Sequence, residues 1–179
     1  MTLNGLAQLL GTTAVGVLVL TTTVSIPAQE RQGVVAKVNA ADCAGFATQD
    51  AAAWLKVPAE QVSRHVEKVG GSLWICSYSA GGSPPGISFS LEVSPSAAKA
   101  AEQMQRYRED LVTAGDTGPF KGKLPKGAYS DIMGVGDEAV WSDVNGSLTV
   151  RRGNVTLQVT LQKVKADQIK LAQAVLAKV

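Results

Sequence analysis

The groups that most often perform catalysis or hold metal ions are scarce in this sequence. Its 179 residues include one histidine, His65, and two cysteines, Cys43 and Cys76. Nucleophilic catalysis needs a nucleophile, a base and an orienting group, and no Gly-x-Ser-x-Gly motif presents a serine for that role. One histidine and no Cys-x-x-Cys pair are too few for the usual structural zinc site. We therefore predict no catalytic residue and no metal site, and we interpret His65 as a solvent-exposed side chain on a short polar helix.

Excess charge and aromatic side chains are also scarce. The chain has 17 Lys and Arg against 15 Asp and Glu, a formal net charge of +2, which gives no reason to expect a nucleic-acid partner. Aromatic residues make up 5% of the chain, so the core is expected to consist mainly of Val, Leu, Ile and Ala. Gly134-Val135-Gly136 resembles half of a phosphate-binding loop, but it leads into a strand rather than a helix. We interpret it as a backbone turn and predict no cofactor.

The first 28 residues lack charged side chains altogether. An apolar run over residues 6–24 is followed by Ile26-Pro27-Ala28, the order of an apolar core and a small-residue cleavage site in a secretory signal. This pattern predicts a signal peptide over residues 1–28, a polar tether over 29–42, and export to the periplasm or beyond the cell. The alternatives are a soluble N-terminal segment and an uncleaved anchor of about 20 apolar residues, which would be the only expected contact with a membrane.

The predicted compartment determines the expected oxidation state of the two cysteines. In an oxidising environment an even pair of cysteines usually forms a bridge, so a Cys43–Cys76 disulfide is predicted. Closing a loop of this length in the unfolded chain stabilises the folded state by about 4 kcal/mol. The alternative is a pair of buried free thiols.

Hydrophobic periodicity predicts a single α+β domain over residues 43–179. Residues 87–93 alternate most clearly, with Ile87, Phe89, Leu91 and Val93 on one side, as in a strand with one buried face. Helices are predicted at 51–55, 59–69, 94–114 and 168–178, and strands at 72–79, 87–93, 138–143, 147–152 and 154–162. Asn145-Gly146 predicts a type I′ hairpin turn. Together these elements predict an antiparallel sheet of about five strands with helices packed on one face.

Residues 116–136 show no periodicity and form the candidate loop for a ligand or partner. Long connections without regular structure are often functional. The candidate residues are Lys121, Lys123, Lys126, Tyr129 and Asp137. The three lysines would favour an anionic ligand, although exposed lysines also serve solubility alone.

Carboxylates near this loop provide an alternative function. Asp131, Asp137 and Glu138 would support hydrolysis if they converged in a cleft. Neighbours such as Asp137 and Glu138 point to opposite faces when they lie on a strand, which argues against a paired acid and base.

Three short segments carry a family resemblance. Asp42-Cys43-Ala44, Trp74-Ile75-Cys76-Ser77-Tyr78 and the segment from Gly134 to Trp141 stand in an order that resembles small exported cell-envelope domains of unknown function. Some actinobacterial secreted lipoproteins share this layout, although this chain lacks their lipid-attachment cysteine. The resemblance covers residues 42–178 and implies an α+β sheet domain with paired cysteines. It implies no reaction and no catalytic residue.

These observations favour a non-enzymatic exported domain that binds a ligand or a protein in the cell envelope. The alternatives are a hydrolase-type enzyme and a structural or inhibitory module that presents its loop to another protein. A groove beneath residues 116–136 would favour the binding of a small molecule.

Overall fold

A computed structural model describes residues 39–82, 86–117, 121, 128–161 and 164–179. The predicted signal peptide and most of the tether lie outside these residues. Among the described residues, no helix combines the length and the apolar character needed to span a bilayer.

Seven strands and three α-helices make up the regular structure. The strands are β1 Val62–Val69, β2 Leu73–Ala80, β3 Ile87–Val93, β4 Tyr129–Asp131, β5 Glu138–Ser142, β6 Ser147–Arg152 and β7 Val155–Val159. The helices are α1 Thr48–Leu55, α2 Ala97–Thr117 and α3 Lys165–Leu176, with short 3₁₀ segments at Ala40–Gly45 and Ala59–Gln61.

All seven strands join one antiparallel sheet in the order β1-β2-β3-β7-β6-β5-β4. The predicted antiparallel α+β architecture is confirmed. The predicted number of strands, about five, is too low because β1 and β4 were not recognised. Residues 129–131 were placed in the irregular loop, yet they pair with β5.

Strand β1 replaces the helix predicted over residues 59–69. The prediction relied on Val62, Val66 and Val69, but a spacing of four residues returns to one face of a strand as well as of a helix. Val62 is buried and Val66 is half-buried, whereas Val69 is exposed. His65 therefore lies on an edge strand, where its side chain is exposed as predicted.

The register of the strands divides the sheet into two faces. The inner face includes the cross-strand row Cys76, Phe89, Val159 and Leu148. The outer face includes the next row, Ile75, Ser90, Gln158 and Thr149.

The helices lie on both faces, so the prediction of helices on one face only is wrong. The main core joins α1, α3 and the first 3₁₀ segment to the inner face. A second cluster joins Met104 and Leu111 of α2 to Val140, which belongs to the outer face. Strand β5 is buried on both faces at Ala139 and Val140, which gives α2 an apolar surface on which to pack.

The β5–β6 connection differs from the predicted type I′ turn. Ser142 pairs with Ser147, so the loop contains four residues rather than two. Gly146 has a positive φ of 64°, but Asn145 does not adopt the positive φ that a type I′ turn requires. Asn145 instead accepts a hydrogen bond from the backbone N–H of Ser147 at 3.2 Å.

Both ends of α2 differ from the prediction. The Lys99 backbone N–H donates to the Ser96 hydroxyl at 3.2 Å, so Ser96 rather than Ser94 caps the helix. The helix also continues through Gly115 to Thr117. A Cβ atom at Gly115 would lie 2.8 Å from the Cβ of Ala128, so this glycine permits a close approach rather than ending the helix.

Three aromatic rings and the disulfide form the centre of the inner core. The Phe46 ring meets Tyr78 and Phe89 edge to face, with centroids 5.4 Å and 5.6 Å away. The predicted Cys43–Cys76 disulfide is present, with the Cα atoms 5.9 Å apart and both residues fully buried. Such a bond is typical of proteins that fold in an oxidising compartment.

Because of Tyr78, the free energy of unfolding should fall as the pH becomes alkaline. Burial raises the pKa of Tyr78 to about 12 from its ordinary 10.0, and nearby Arg64 only partly offsets this. Because the folded-state pKa is the higher one, the stabilisation is complete below pH 10 and is lost as pH rises through 12. The Tyr78 hydroxyl also donates to the Phe46 carbonyl.

We expect Tyr78→Phe to lower the free energy of unfolding by about 1 kcal/mol at neutral pH. That deficit should shrink between about pH 10 and pH 12, because only the wild type must keep a buried phenol neutral. Urea titrations of both proteins across this range test it. Two stability curves that stay parallel would contradict the expected role of Tyr78.

Candidate functional site

A groove of about 250 Å³ lies between the outer face of the sheet and helix α2. Its floor is formed by residues of β2, β3, β7 and β6, namely Leu73, Ser90, Glu92, Thr156, Gln158 and Thr149. Its wall is formed by three residues of α2, Gln103, Met104 and Tyr107. We call this site the outer-face groove.

Strand register brings the floor residues together from distant parts of the chain. Ser90, Gln158 and Thr149 are successive partners across β3, β7 and β6. Glu92 and Thr156 are partners in the neighbouring row. Residues two apart on a strand share a face, so the two rows present their polar side chains side by side.

Three hydroxyl groups of the outer-face groove are buried without a hydrogen-bond partner. Among the residues that the structure describes, none pairs with the hydroxyl oxygens of Tyr107, Thr149 and Thr156. Thr149 is only 5% exposed. An unpaired buried hydroxyl costs about 1 to 3 kcal/mol, and such groups in native proteins call for a specific explanation. Because these oxygens expose almost no surface in this structure, a polar ligand in the groove would gain hydrogen bonds to them only after the side chains turn toward it.

A short relay positions the carboxylate of Glu92 at the same groove. The Gln103 amide donates to Glu92 Oε1 at 2.8 Å. The hydroxyl of buried Ser94 donates in turn to the Gln103 carbonyl oxygen. Helix α2 thereby holds one oxygen of the carboxylate, while Oε2 makes no hydrogen bond to the described part of the chain.

Five charged residues form a separate network on the outer face beside the groove, where α2 meets β4, β5 and β6. Glu138 accepts from Arg108 Nη1 and Arg151 Nε, each at 2.8 Å. Arg108 also contacts Asp131 at 3.1 Å, and Arg151 contacts Asp137 at 3.1 Å. Partial burial opposes ionisation of Glu138, yet the hydrogen bonds from the two arginines outweigh it and lower the pKa of Glu138. These carboxylates thus serve as partners of arginine.

The Asp137 and Glu138 side chains converge on Arg151 rather than diverging as expected. Asp137 lies before the first residue of β5, so the alternation of side chains along a strand does not apply to it.

The candidate loop residues occupy different environments. Lys121 is exposed, whereas Lys123 and Lys126 lie outside the described residues. Tyr129 packs against the cluster of Met104, Leu111 and Val140, and Asp137 pairs with Arg151. Tyr129 is opposite Ser142 at one end of β5, and Glu138 at the other end lies roughly 13 Å away. The structure therefore does not bring Tyr129 and Asp137 together.

The described residues contain no cluster of three or more His, Cys, Asp or Glu side chains arranged to hold a metal ion. No family model, curated protein or solved structure matches this chain. The geometry of the outer-face groove is therefore the basis on which function is argued.

Proposed function

We propose that the protein is an exported, non-enzymatic binding protein whose outer-face groove takes a small polar ligand. The observation that supports this most directly is the set of three buried, unpartnered hydroxyls on Tyr107, Thr149 and Thr156. A ligand toward which these side chains turn to form hydrogen bonds would recover part of the free energy that their burial costs.

The size and composition of the groove favour a small organic ligand. Typical sites for drug-sized ligands measure about 300 to 1,000 Å³, and this groove of about 250 Å³ lies just below that range. Leu73 and Met104 provide apolar contact, and the hydroxyl and amide groups provide directional recognition. Water molecules at about 30 Å³ each are the competing occupants.

The exported location is part of this proposal. It is supported by the charge-free apolar segment at the start of the chain and by the buried disulfide, which is typical of oxidising compartments. The cell envelope is the proposed site of action, in line with the resemblance to small envelope domains.

Removing the unpartnered hydroxyls should raise the stability of the protein while weakening ligand binding. We expect Thr149→Val to raise the free energy of unfolding by about 1 kcal/mol, because Val has nearly the same shape without the unsatisfied group. The exposed Thr160 follows β7 outside the groove, so Thr160→Val should change stability by less than about 0.5 kcal/mol. Urea unfolding curves of both variants provide the comparison.

Binding can be tested by NMR with a mixture of monosaccharides, amino sugars and polyols. We expect the backbone amide resonances of Ser90, Gln158 and Thr149 to shift in the wild type. These shifts should be lost in Thr149→Val/Thr156→Val and retained in Thr160→Val. The proposal fails if no probe shifts these resonances, or if the double variant responds as the wild type does.

A further inference from the structure

We propose that the ligand of the outer-face groove is a small organic cation that carries hydroxyl groups, and that Glu92 pairs with its positive charge. This inference rests on the proposed function and adds the chemical class of the ligand. It follows from the charge of the groove, the position of Glu92 and the remaining composition of the walls.

Glu92 is the charged side chain among the described residues that line the groove. It takes part in none of the ion pairs that the described residues form. An opposite charge nearby stabilises the ionised form of a carboxylate that is partly removed from water. The groove thus offers a negative charge to its ligand.

The neighbouring cationic side chains already have partners. Arg151 lies in the same cross-strand row as Glu92, with Thr156 between them, but its guanidinium binds Asp137 and Glu138. On α2, Lys99 and Arg106 both pair with Glu102. Among the described residues, therefore, no cationic side chain pairs with Glu92, and its charge is available to a ligand cation.

The Glu92 carboxylate is also held in a defined position. Its Oε1 accepts from Gln103, which accepts from buried Ser94, and Oε2 is left to pair with a ligand. A carboxylate fixed by its neighbours loses less conformational entropy when a ligand binds, which favours affinity. The relay thus explains why a glutamine stands at position 103 of the wall.

The other walls distinguish an organic cation from a metal ion. Hard metal ions such as Ca²⁺ take six to eight oxygen ligands, usually with several carboxylates, whereas this groove supplies one carboxylate. Leu73, Met104 and the ring of Tyr107 give apolar and aromatic surface that suits a carbon skeleton. The unpartnered hydroxyls of Thr149 and Thr156 suit hydroxyl groups on that skeleton.

Two matched pairs of probes test the inference by calorimetry or NMR titration at about pH 6, where primary amines are protonated. The pairs are glucosamine with glucose, and Tris with pentaerythritol, in which an ammonium replaces a neutral hydroxyl-bearing group. We expect the cationic member of at least one pair to bind the wild type about tenfold more tightly, the usual gain of a charged over a neutral hydrogen bond.

Glu92→Gln should abolish this preference, so that the cationic and the neutral member of the pair bind the variant with equal affinity. Glu67→Gln is the matched control, because Glu67 lies exposed on the outer face of β1 and does not line the groove. Equal affinity for both members of each pair would overturn the inference and leave the groove a site for neutral ligands. An equal loss in both variants would also overturn it, since bulk charge would explain the preference. If no probe binds in the groove, the inference fails together with the proposed function.

Discussion

The double variant Cys43→Ala/Cys76→Ala should unfold with a free energy lower than the wild type by about 4 kcal/mol. The disulfide closes a loop with a sequence separation of 33 residues, and without it the unfolded chain gains that loop entropy. Most single domains are stable by only about 5 to 15 kcal/mol, so this loss is large. Guanidinium unfolding of the oxidised wild type and the variant, followed by tryptophan fluorescence, measures it.

Thiol titration in denaturant provides the control for this experiment. The oxidised wild type should release no free thiol, whereas each single cysteine variant should release one. Both sulfur-bearing residues are fully buried, so a reductant should reach the bond only when the protein opens. If the double variant unfolded at the same guanidinium concentration as the wild type, the bond would add nothing to stability.

Ligand binding should survive in the fraction of the double variant that remains folded. Cys76 lies on the inner face, opposite Phe89 and Val66 in register. The outer-face groove is built from the alternate residues of β3, such as Ser90 and Glu92. The disulfide and the residues that would recognise a ligand thus lie on opposite faces of the sheet.

The parts of the fold predicted correctly are those in which one signal dominates. The alternation of Ile87, Phe89 and Leu91 matches a strand with one buried face and does not fit a helix. All three side chains are at most 2% exposed, on β3 of the structure. The disulfide was also predictable, because two cysteines in a chain expected to be exported allow one pairing.

The errors occur where a local pattern fits two structures. The spacing of Val62 and Val66 suits either a helix or a strand, and their pairing with Ala80 and Cys76 on β2 decides in favour of a strand. Asn145-Gly146 favours a two-residue turn, but the register of β5 and β6 requires four residues. Contacts distant in sequence therefore override the local preference in both cases.

The candidate site was only partly visible in the sequence for the same reason. The alternation that puts Ile87, Phe89 and Leu91 on the buried side of the strand puts Ser90 and Glu92 on its polar side, which would ordinarily face solvent. Helix α2 packs over that side through Met104 and Leu111, and this turns exposed polar residues into the floor of a groove. The periodicity of a helix predicts which side of the helix is buried, but it does not predict which face of the sheet the helix packs against.

Two kinds of polar surface on the outer face thus have different roles. Around Glu138, two arginines and three carboxylates satisfy one another and tie α2 to β4, β5 and β6. Around Thr149, the hydroxyls and Glu92 are left with unused capacity. A polar network in which every group has a hydrogen-bond partner stabilises the fold. Buried polar groups without partners instead leave hydrogen bonds for a ligand to make.

Gly136→Ala should be among the most damaging substitutions in the chain, with a loss of about 3 kcal/mol in the free energy of unfolding. Gly136 has a positive φ of 62° in the turn before β5. A Cβ atom there would overlap the backbone carbonyl oxygen of Arg151 and lie 2.6 Å from Val150 Cγ1. Neither neighbour can yield easily, because that carbonyl accepts from the Asp137 N–H at 2.8 Å and Val150 is fully buried.

Gly134→Ala is the matched control, because it separates backbone strain from steric overlap. Gly134 also has a positive φ, 77°, but no atom lies within 4 Å of the position of a Cβ. Its replacement should cost only the conformational preference of about 1 kcal/mol. Urea unfolding of the two variants gives the difference, and equal losses would show that the turn, rather than the contact with β6, requires glycine. A larger loss at Gly136 would instead show that this close approach joins the turn to β6, where Arg151 organises the charge network beside the groove.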